Sequence, residues 1–509
     1  MSKIKAKLAA LARGEKLAGS AVTALVIGLV IAFNAVIYAL TVAYGLYLYS
    51  PETDNLEISG STDSLFEKYE GERVKIIFCR EKSELDYASG TVDEVTVFHE
   101  TALQFAERYP DFIELEYVNT FTKRNSKNEL VDLTKYQDVD VTTGERYPIY
   151  PTSVIFDSET ANQHRTLYSV ASAAFTYDLN SSSRSYSSYN GEEVIAAMVS
   201  WVLEPEHKTA YFTTYHGETS DVFFANVLSC AGYLVETIDL SKDEIPENTD
   251  LVIISNPIKD FEKSVEGSKV RAEIDRLSTY LERGGSLYVS LDPYVEKLPV
   301  LEELISEYGI AFSETEIDGK LYRNIVRDSD NAITTDNFTL IADIADGNYG
   351  KALADKVDEY SDGKVIVREC AALNISGGAE AIFKTSSSSA TYAGGERTDK
   401  SGSYCVGAIA KTSGQYGEGN IFVIPSIYLT ANDALTTSGY ANRDFVYAMF
   451  DQVYGADFVP YGCAPVYIDT GALENLTMKT ARIYTVLLLS IPVVIAAVGA
   501  VIVIRRKNR

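Results

Sequence analysis

The sequence predicts an α/β protein, an acidic body in which strands alternate with helices, bounded at each end by a transmembrane helix. Three observations carry that reading. Segments 18–49 and 483–504 hold no Asp, Glu, Lys or Arg, and each exceeds the roughly 20 residues that cross a bilayer core. Each is flanked on its outer side by cations: Lys3, Lys5, Lys7, Arg13 and Lys16 before the first, Arg505, Arg506, Lys507 and Arg509 after the second. Between them, short buried-type strands alternate with helical patterns, the rhythm of a parallel sheet covered on both faces.

The terminal segments set the expected topology. Positive charge outside both spans places both termini in the cytoplasm of a bacterium and the body on the far side of its cytoplasmic membrane. The first span is too long for a signal-peptide core, and no small-residue cleavage site follows it. The chain carries −27, from 45 basic and 72 acidic residues. The two tails take nine of those bases and one acid (Glu15), so the rest carries −35. A body that acidic repels nucleic acid.

The expected organisation is a basic tail over 1–17, a span over 18–49, an α/β unit over 55–205, a parallel-sheet unit over 206–465, a linker over 466–482, a second span over 483–504 and a basic tail over 505–509. In the first unit VKIIF (74–78) reads as a buried strand, 95–109 as a helix with Val97, Leu103, Phe105 and Ala106 on its apolar side, and IELEYV (113–118) as an alternating strand. TSVIF (152–156) and 164–170 form the closing pair. This β-α-β…β-β order is thioredoxin-like. Cys79 ends the first strand, but Arg80, Glu81 and Lys82 follow it, so the resolving cysteine of a dithiol enzyme is missing. The polar stretch 181–188 is a loop, and 191–203 a helix leading out of the unit.

The second unit opens with a strand over 210–214. A helix over 220–231 follows and stops at Gly232, as glycine at a helix end does. Strands are predicted at 234–240, 250–255 and 286–291, helices at 269–283 and 298–308. From about 311 to 411 short β elements and turn-prone stretches read as an insertion that decorates the sheet. NIFVI (420–424) resumes the sheet and 444–454 closes it. The sheet is doubly wound, of the amidotransferase/flavodoxin-like kind. The five cysteines (79, 230, 370, 405, 463) include no CxxC pair and no zinc-like spacing. Whether Cys370 bridges Cys405 stays open.

Open parallel sheets hold ligands at the carboxyl ends of their strands. The polar residues there are His216 and Glu218 after the first strand, Asn256 after DLVIIS, Asp292 after SLYVSL, and Ser426 after NIFVI. These are the ligand-binding candidates; no catalytic residue, metal ligand set or cofactor site is assigned. His216-Gly217-Glu218 is the sharpest local signal. Histidine titrates near neutral pH, glycine permits a close turn, and glutamate suits a helix start. Acid–base catalysis and a purely structural hydrogen bond both fit it. No G-x-C-x-G or G-x-S-x-G elbow, no phosphate-binding GxxxxGK[ST] and no GxGxxG occurs at a strand end. Enzymatic activity therefore stays open, with the residues weighing against it.

Six segments occur in order: FHETALQFAERY (98–109), YNGEEVIAAMVSWV (189–202), AYFTTYHGE (210–218), GYLVETIDL (232–240), LERGGSLYVSLDP (281–293) and the basic-tailed final apolar segment. Together they resemble the auxiliary membrane component of ABC transporters, the family that includes the gliding-motility G protein. That family's GHGE stands here as Tyr215-His216-Gly217-Glu218, without the first glycine. The resemblance implies an accessory or substrate-engaging component without ATPase activity of its own. Its implied partners are a separate ABC ATPase subunit and a multi-span permease, with an envelope ligand possible. The rival readings are a membrane-anchored hydrolase or amidotransferase-like enzyme working through His216 and Glu218, and a structural scaffold.

Overall fold

The computed structural model describes residues 58–467 except 70, 86–92, 139–145, 178–185, 220–221, 265–270, 334–336, 362, 400, 415–416, 437–439, 457–458, 461–462 and 464–465. All of these belong to one compact unit, Ser50–Arg509. The expectation of two transmembrane helices is corrected here. Segments 18–49 and 483–504 lie outside the described residues, and among the described residues no helix is long and apolar enough to cross a membrane. The longest, Glu94–Arg108, has 15 residues, about 22 Å at 1.5 Å per residue against a hydrocarbon core of about 30 Å. The fold is thus a mixed α/β body with several sheets. The two-span membrane location and the extracytoplasmic placement of the body are not supported.

The amino-terminal sheet has five strands: β1 (Val74–Phe78), β2 (Ile113–Asn119), β3 (Arg124–Asn125), β4 (Val154–Ser158) and β5 (Gln163–Leu167), in the order β3-β2-β1-β4-β5. β1 and β2 run parallel, and β4 and β5 are antiparallel additions. The β1-to-β2 crossover is helix α1 (Glu94–Arg108). Its cap is Asp93, whose side chain accepts the Thr96 N–H. Val95, Phe98, Ala102 and Phe105 form its buried face, and buried His99 bonds the Tyr117 hydroxyl at 2.8 Å. Cys79 is buried behind β1, and burial pushes its thiol up to about 12. All five cysteines are free, so Cys370 and Cys405 form no bridge.

Helix α2 (Gly191–Leu203) joins this sheet to the next. Ten of its 13 residues are buried, because it packs on β4 and β5 from one side and on the first helix of the following sheet from the other. Its sequence, EEVIAAMVSWVL after the initial glycine, is apolar nearly all round, the mark of a helix without a wet face.

The second sheet begins with β6 (Thr209–Thr213), α3 (Val222–Cys230), β7 (Leu234–Ile238), β8 (Leu251–Ser255), α4 (Glu273–Glu282), β9 (Ser286–Ser290), α5 (Pro299–Glu307) and β10 (Ile310–Phe312). It continues through α6 (Asn348–Tyr360), β11 (Leu373–Ile375), β12 (Glu380–Lys384), β13 (Cys405–Gly414), β14 (Gly417–Ile424) and α7 (Asn442–Gln452). The spatial order is β10-β11-β13-β14-β9-β8-β6-β7, with β12 also on β13. β7, β6, β8, β9 and β14 are mutually parallel along the sheet. In chain order these five stand 2-1-3-4-5, so the order reverses between β6 and β8.

Residue alternation explains the cover on both faces. Ile253, Tyr288 and Phe422 face the core shared with Phe224 of α3 and Phe450 of α7. Their neighbours Val252, Ile254, Leu287 and Val289 face Leu277 and Leu281 of α4 and Leu301 of α5. Each such side chain gains about 1.5–3 kcal/mol by full burial. The insertion is more than decoration. Between β10 and β14 it supplies helix α6 and the antiparallel strands β11, β12 and β13, which extend the parallel sheet.

One ion pair is buried where α2 meets α7. Glu193 is 1% exposed and accepts Arg443 Nε–H at 3.0 Å as well as the Tyr447 hydroxyl. Removing one partner strands the other charge, so Glu193→Ala should lower the unfolding free energy in urea by about 3–5 kcal/mol. Adding Arg443→Met should recover most of that loss. A drop below about 1 kcal/mol for the single variant would show that the pair behaves like a surface bridge.

Candidate functional site

The strand order reverses between β6 and β8, and at such a reversal open parallel sheets hold ligands beyond the carboxyl ends of their strands. β6 ends at Thr213, and Thr214 N–H still reaches Ile238 O of β7 at 3.0 Å. The chain then turns through two left-handed residues, Tyr215 (φ 82°) and Gly217 (φ 76°). At position 217 a β-carbon would stand 2.3 Å from Ile258 Cγ1, so only glycine fits. The His216 carbonyl accepts the N–H groups of Ile258 and Lys259, each at 2.9 Å, and Thr219 N–H donates to Ser255 O at 2.9 Å. The loops after β6 and β8 are stitched together by these bonds.

His216 sits at the centre, 4% exposed. Its Nδ1 lies 3.0 Å from Glu218 Oε1 and its Nε2 3.0 Å from Glu273 Oε2. The other Glu218 oxygen accepts the His216 backbone N–H at 2.8 Å. Glu273, the first residue of α4, also accepts the Glu262 N–H at 2.8 Å. The imidazole stacks on Phe261 with centroids 4.0 Å apart. Burial disfavours the charged ring, but the bonds to Glu218 and Glu273 outweigh it and the pKa of His216 is raised from 6.5. For Glu218, burial pulls upward while the bond to His216 and further hydrogen bonds prevail, so its carboxyl is lowered from 4.5. In the protonated ring both N–H groups donate to carboxylates. Neither nitrogen is left to take a substrate proton. The trio is a clamp joining β6, the 261–262 loop and α4.

The other predicted residues take separate parts. Asn256 follows β8 at φ 50° and is 6% exposed. Its N–H donates to Ser290 O at 2.9 Å, while its buried Oδ1 has no hydrogen-bond partner among the described residues. Asp292 is half-buried; its Oδ1 accepts the Tyr294 N–H at 2.8 Å and its carbonyl accepts Arg323 Nη1–H at 3.0 Å. Ser426 is fully buried, donates to Arg368 O at 2.5 Å and accepts the Tyr428 N–H at 3.1 Å, which ties its hydroxyl into the insertion. The structure therefore links His216 and Glu218 directly, and sends Asp292 and Ser426 toward the insertion.

No protein-family model and no curated protein matches the chain. Among solved structures, the mmIFT52 N-terminal domain is 16% identical, with a TM-score of 0.36 over 49% of this chain and 99% of that one. A ThuA-like protein from Bacteroides uniformis ATCC 8492 is 10% identical, with a TM-score of 0.28 over 48% and 92%. PurLQS from Thermotoga maritima is 11% identical, with a TM-score of 0.27 over 48% and 99%. Likenesses this distant carry no argument about what the chain does.

Sequence reasoning missed Glu273 and Phe261, the residues that lock the histidine. Glu273 lies 57 positions from His216, inside a predicted helix where a first-turn glutamate is ordinary. Among the described residues no cluster of three or more His, Cys, Asp or Glu side chains has metal-binding geometry. The raised pKa gives the clamp a direct signature. Its stabilising contribution is complete below the unfolded value of 6.5 and is lost as pH rises through the higher folded value. The unfolding free energy lost on His216→Gln, measured in urea, should therefore be greater near pH 6 than near pH 9. Equal losses at the two pH values would mean a neutral ring.

Proposed function

We propose that the chain is a non-enzymatic accessory component of an ABC-type transport or motility system, one that engages a ligand or partner for a separate ATPase and a multi-span permease. The single observation that carries the non-enzymatic part is the occupancy of both His216 ring nitrogens by glutamates. General acid–base work needs a ring nitrogen within reach of a substrate proton. A buried imidazole held from both sides offers fixed geometry instead. Ser426, the hydroxyl among the predicted site residues, is committed to backbone groups, and the cysteine thiols are buried or half-buried with pKa values raised by burial.

The transport part rests on the ordered resemblance of the six segments, of which AYFTTYHGE and LERGGSLYVSLDP border the clamp and the strand ends. In this reading ATP is hydrolysed elsewhere and the sheet's carboxyl edge presents a stiff recognition surface. Affinity purification of the tagged full chain from its native cells in mild detergent should recover an ABC ATPase together with a multi-span permease, identified by mass spectrometry. Recovery of the chain alone across several detergents would sink the transport part. Turnover of any substrate that depends on His216 would overturn the non-enzymatic part.

A further inference from the structure

A cavity of about 630 Å³ opens between the loop that follows Asp292 and the insertion, a volume within the ~300–1,000 Å³ typical of small-molecule sites. The insertion's wall is a hairpin of Glu314–Ile317 with Lys320–Arg323 and a sheet in which Ile325–Asp328 pairs with Ser389–Ala393. Arg323 fastens this wall to the parallel sheet. Its Nη1 donates to the carbonyls of Asp292 and Val295, both at 3.0 Å, and its Nη2 pairs with Glu302 at 2.6 Å.

The lining is unusual for a chain of net charge −27. Four cations (Lys297, Lys320, Arg323, Arg327) face it, against the acids Glu296 and Glu314. Two of the cations are spoken for: Lys297 pairs with Glu314 at 2.9 Å and Arg323 with Glu302. Arg327 is different. Its guanidinium lies between two rings, 4.3 Å from the centroid of Phe338 and 4.6 Å from that of Tyr392, and its Nε is buried. Among the described residues its Nε has no hydrogen-bond acceptor. Stacking fixes the plane of a guanidinium and leaves its donors to be met at the edge, where a planar anion fits bidentately. Tyr294, Tyr322 and Tyr392 line the same cavity, and Tyr294 is 56% exposed on the loop after Asp292. Aromatic faces and phenol groups of this kind accept flat or ring-shaped bodies.

We infer that this cavity binds an anionic, ring-bearing small molecule of about disaccharide or mononucleotide size, its carboxylate or phosphate held by Arg327 and its ring laid against the tyrosines. The inference stands apart from the transport reading, since a ligand site can be filled whether or not an ATPase is recruited. Calorimetric titration of the full chain with digalacturonate, uridine monophosphate, cellobiose and inorganic phosphate tests it and separates carboxylate from phosphate. At least one of the two anionic ring probes should bind with Kd below about 1 mM, and neutral cellobiose at least about tenfold more weakly. Inorganic phosphate alone should be weaker than the nucleotide, because it brings no ring. Added salt should weaken the anionic probe that binds.

Arg327→Gln, checked by thermal melting, should weaken that probe about tenfold or more. Should this variant melt early, Tyr294→Ala on the exposed loop decides, with a loss of several-fold expected. Failure of both anionic probes, equal binding of cellobiose, or unchanged binding by a folded Arg327→Gln or Tyr294→Ala variant would each overturn the inference.

Discussion

Helix α2 has almost no face to spare for water, and the rest of the body is arranged around that constraint. With Val194, Ile195, Ala196, Ala197, Met198, Val199 and Val202 all buried, the helix is stable only if apolar surface meets it on opposite sides. The five-stranded sheet supplies one side through β4 and β5, and α3 of the larger sheet supplies the other. One continuous core therefore runs from Phe78 and Phe105 through α2 to Phe224 and Phe450. The chain leaves α2 and enters β6 within a few residues, so the strand that leads to His216 is positioned by the same buried helix. Glu193, its buried acid, has its charge met by Arg443 from the last helix of the sheet. That bond ties α2 directly to α7.

The clamp at the strand-order reversal follows from this rigidity. An imidazole needs a rigid frame to hold two carboxylates at 3.0 Å each, and the frame here comes from three separate elements. The Gly217 turn brings Glu218 back onto its own histidine. The start of α4 delivers Glu273, and Phe261 covers the ring. The result favours the charged form of a buried group, which burial alone would suppress. Such a device holds the loops after β6 and β8 in fixed register. It is poorly suited to shuttling a proton, because any donated proton is immediately shared with a glutamate already in place.

Much of this was legible in the chain itself, where local pattern decides. VKIIF, LVIIS and SLYVS are short buried runs bounded by polar residues, and each forms the strand its pattern demands. The alternation that sends Val252 and Ile254 to one face and Ile253 to the other follows from strand geometry. Tyr215-His216-Gly217-Glu218 stood out because glycine beside two ionisable residues at a strand end is a local feature. What the sequence hid was non-local. Glu273 meets His216 only after the sheet forms, and β13 joins the main sheet through pairing with β14 and β12 that no period announces. Helix α6 was lost in a stretch read for its turns and short strands. The apolar ends 18–49 and 483–504 fall outside the described residues, and the described helices supply no span in their place.

The five free thiols carry a consequence for how this body can be handled and watched. Four are buried and the fifth is half-buried; burial drives Cys79 and Cys370 up to about 12 and Cys230 and Cys405 up to about 11. A thiol held in that state does not present the thiolate on which alkylation and disulfide exchange depend. Each thus reacts chiefly when its own surroundings open, so the chain carries timers of local unfolding at known places: after β1, in α3, just before β11 in the insertion, on β13 and at Cys463 beyond α7. Opening free energies that differ between cooperative segments would be recorded by these atoms in the order in which they surrender to a modifying reagent.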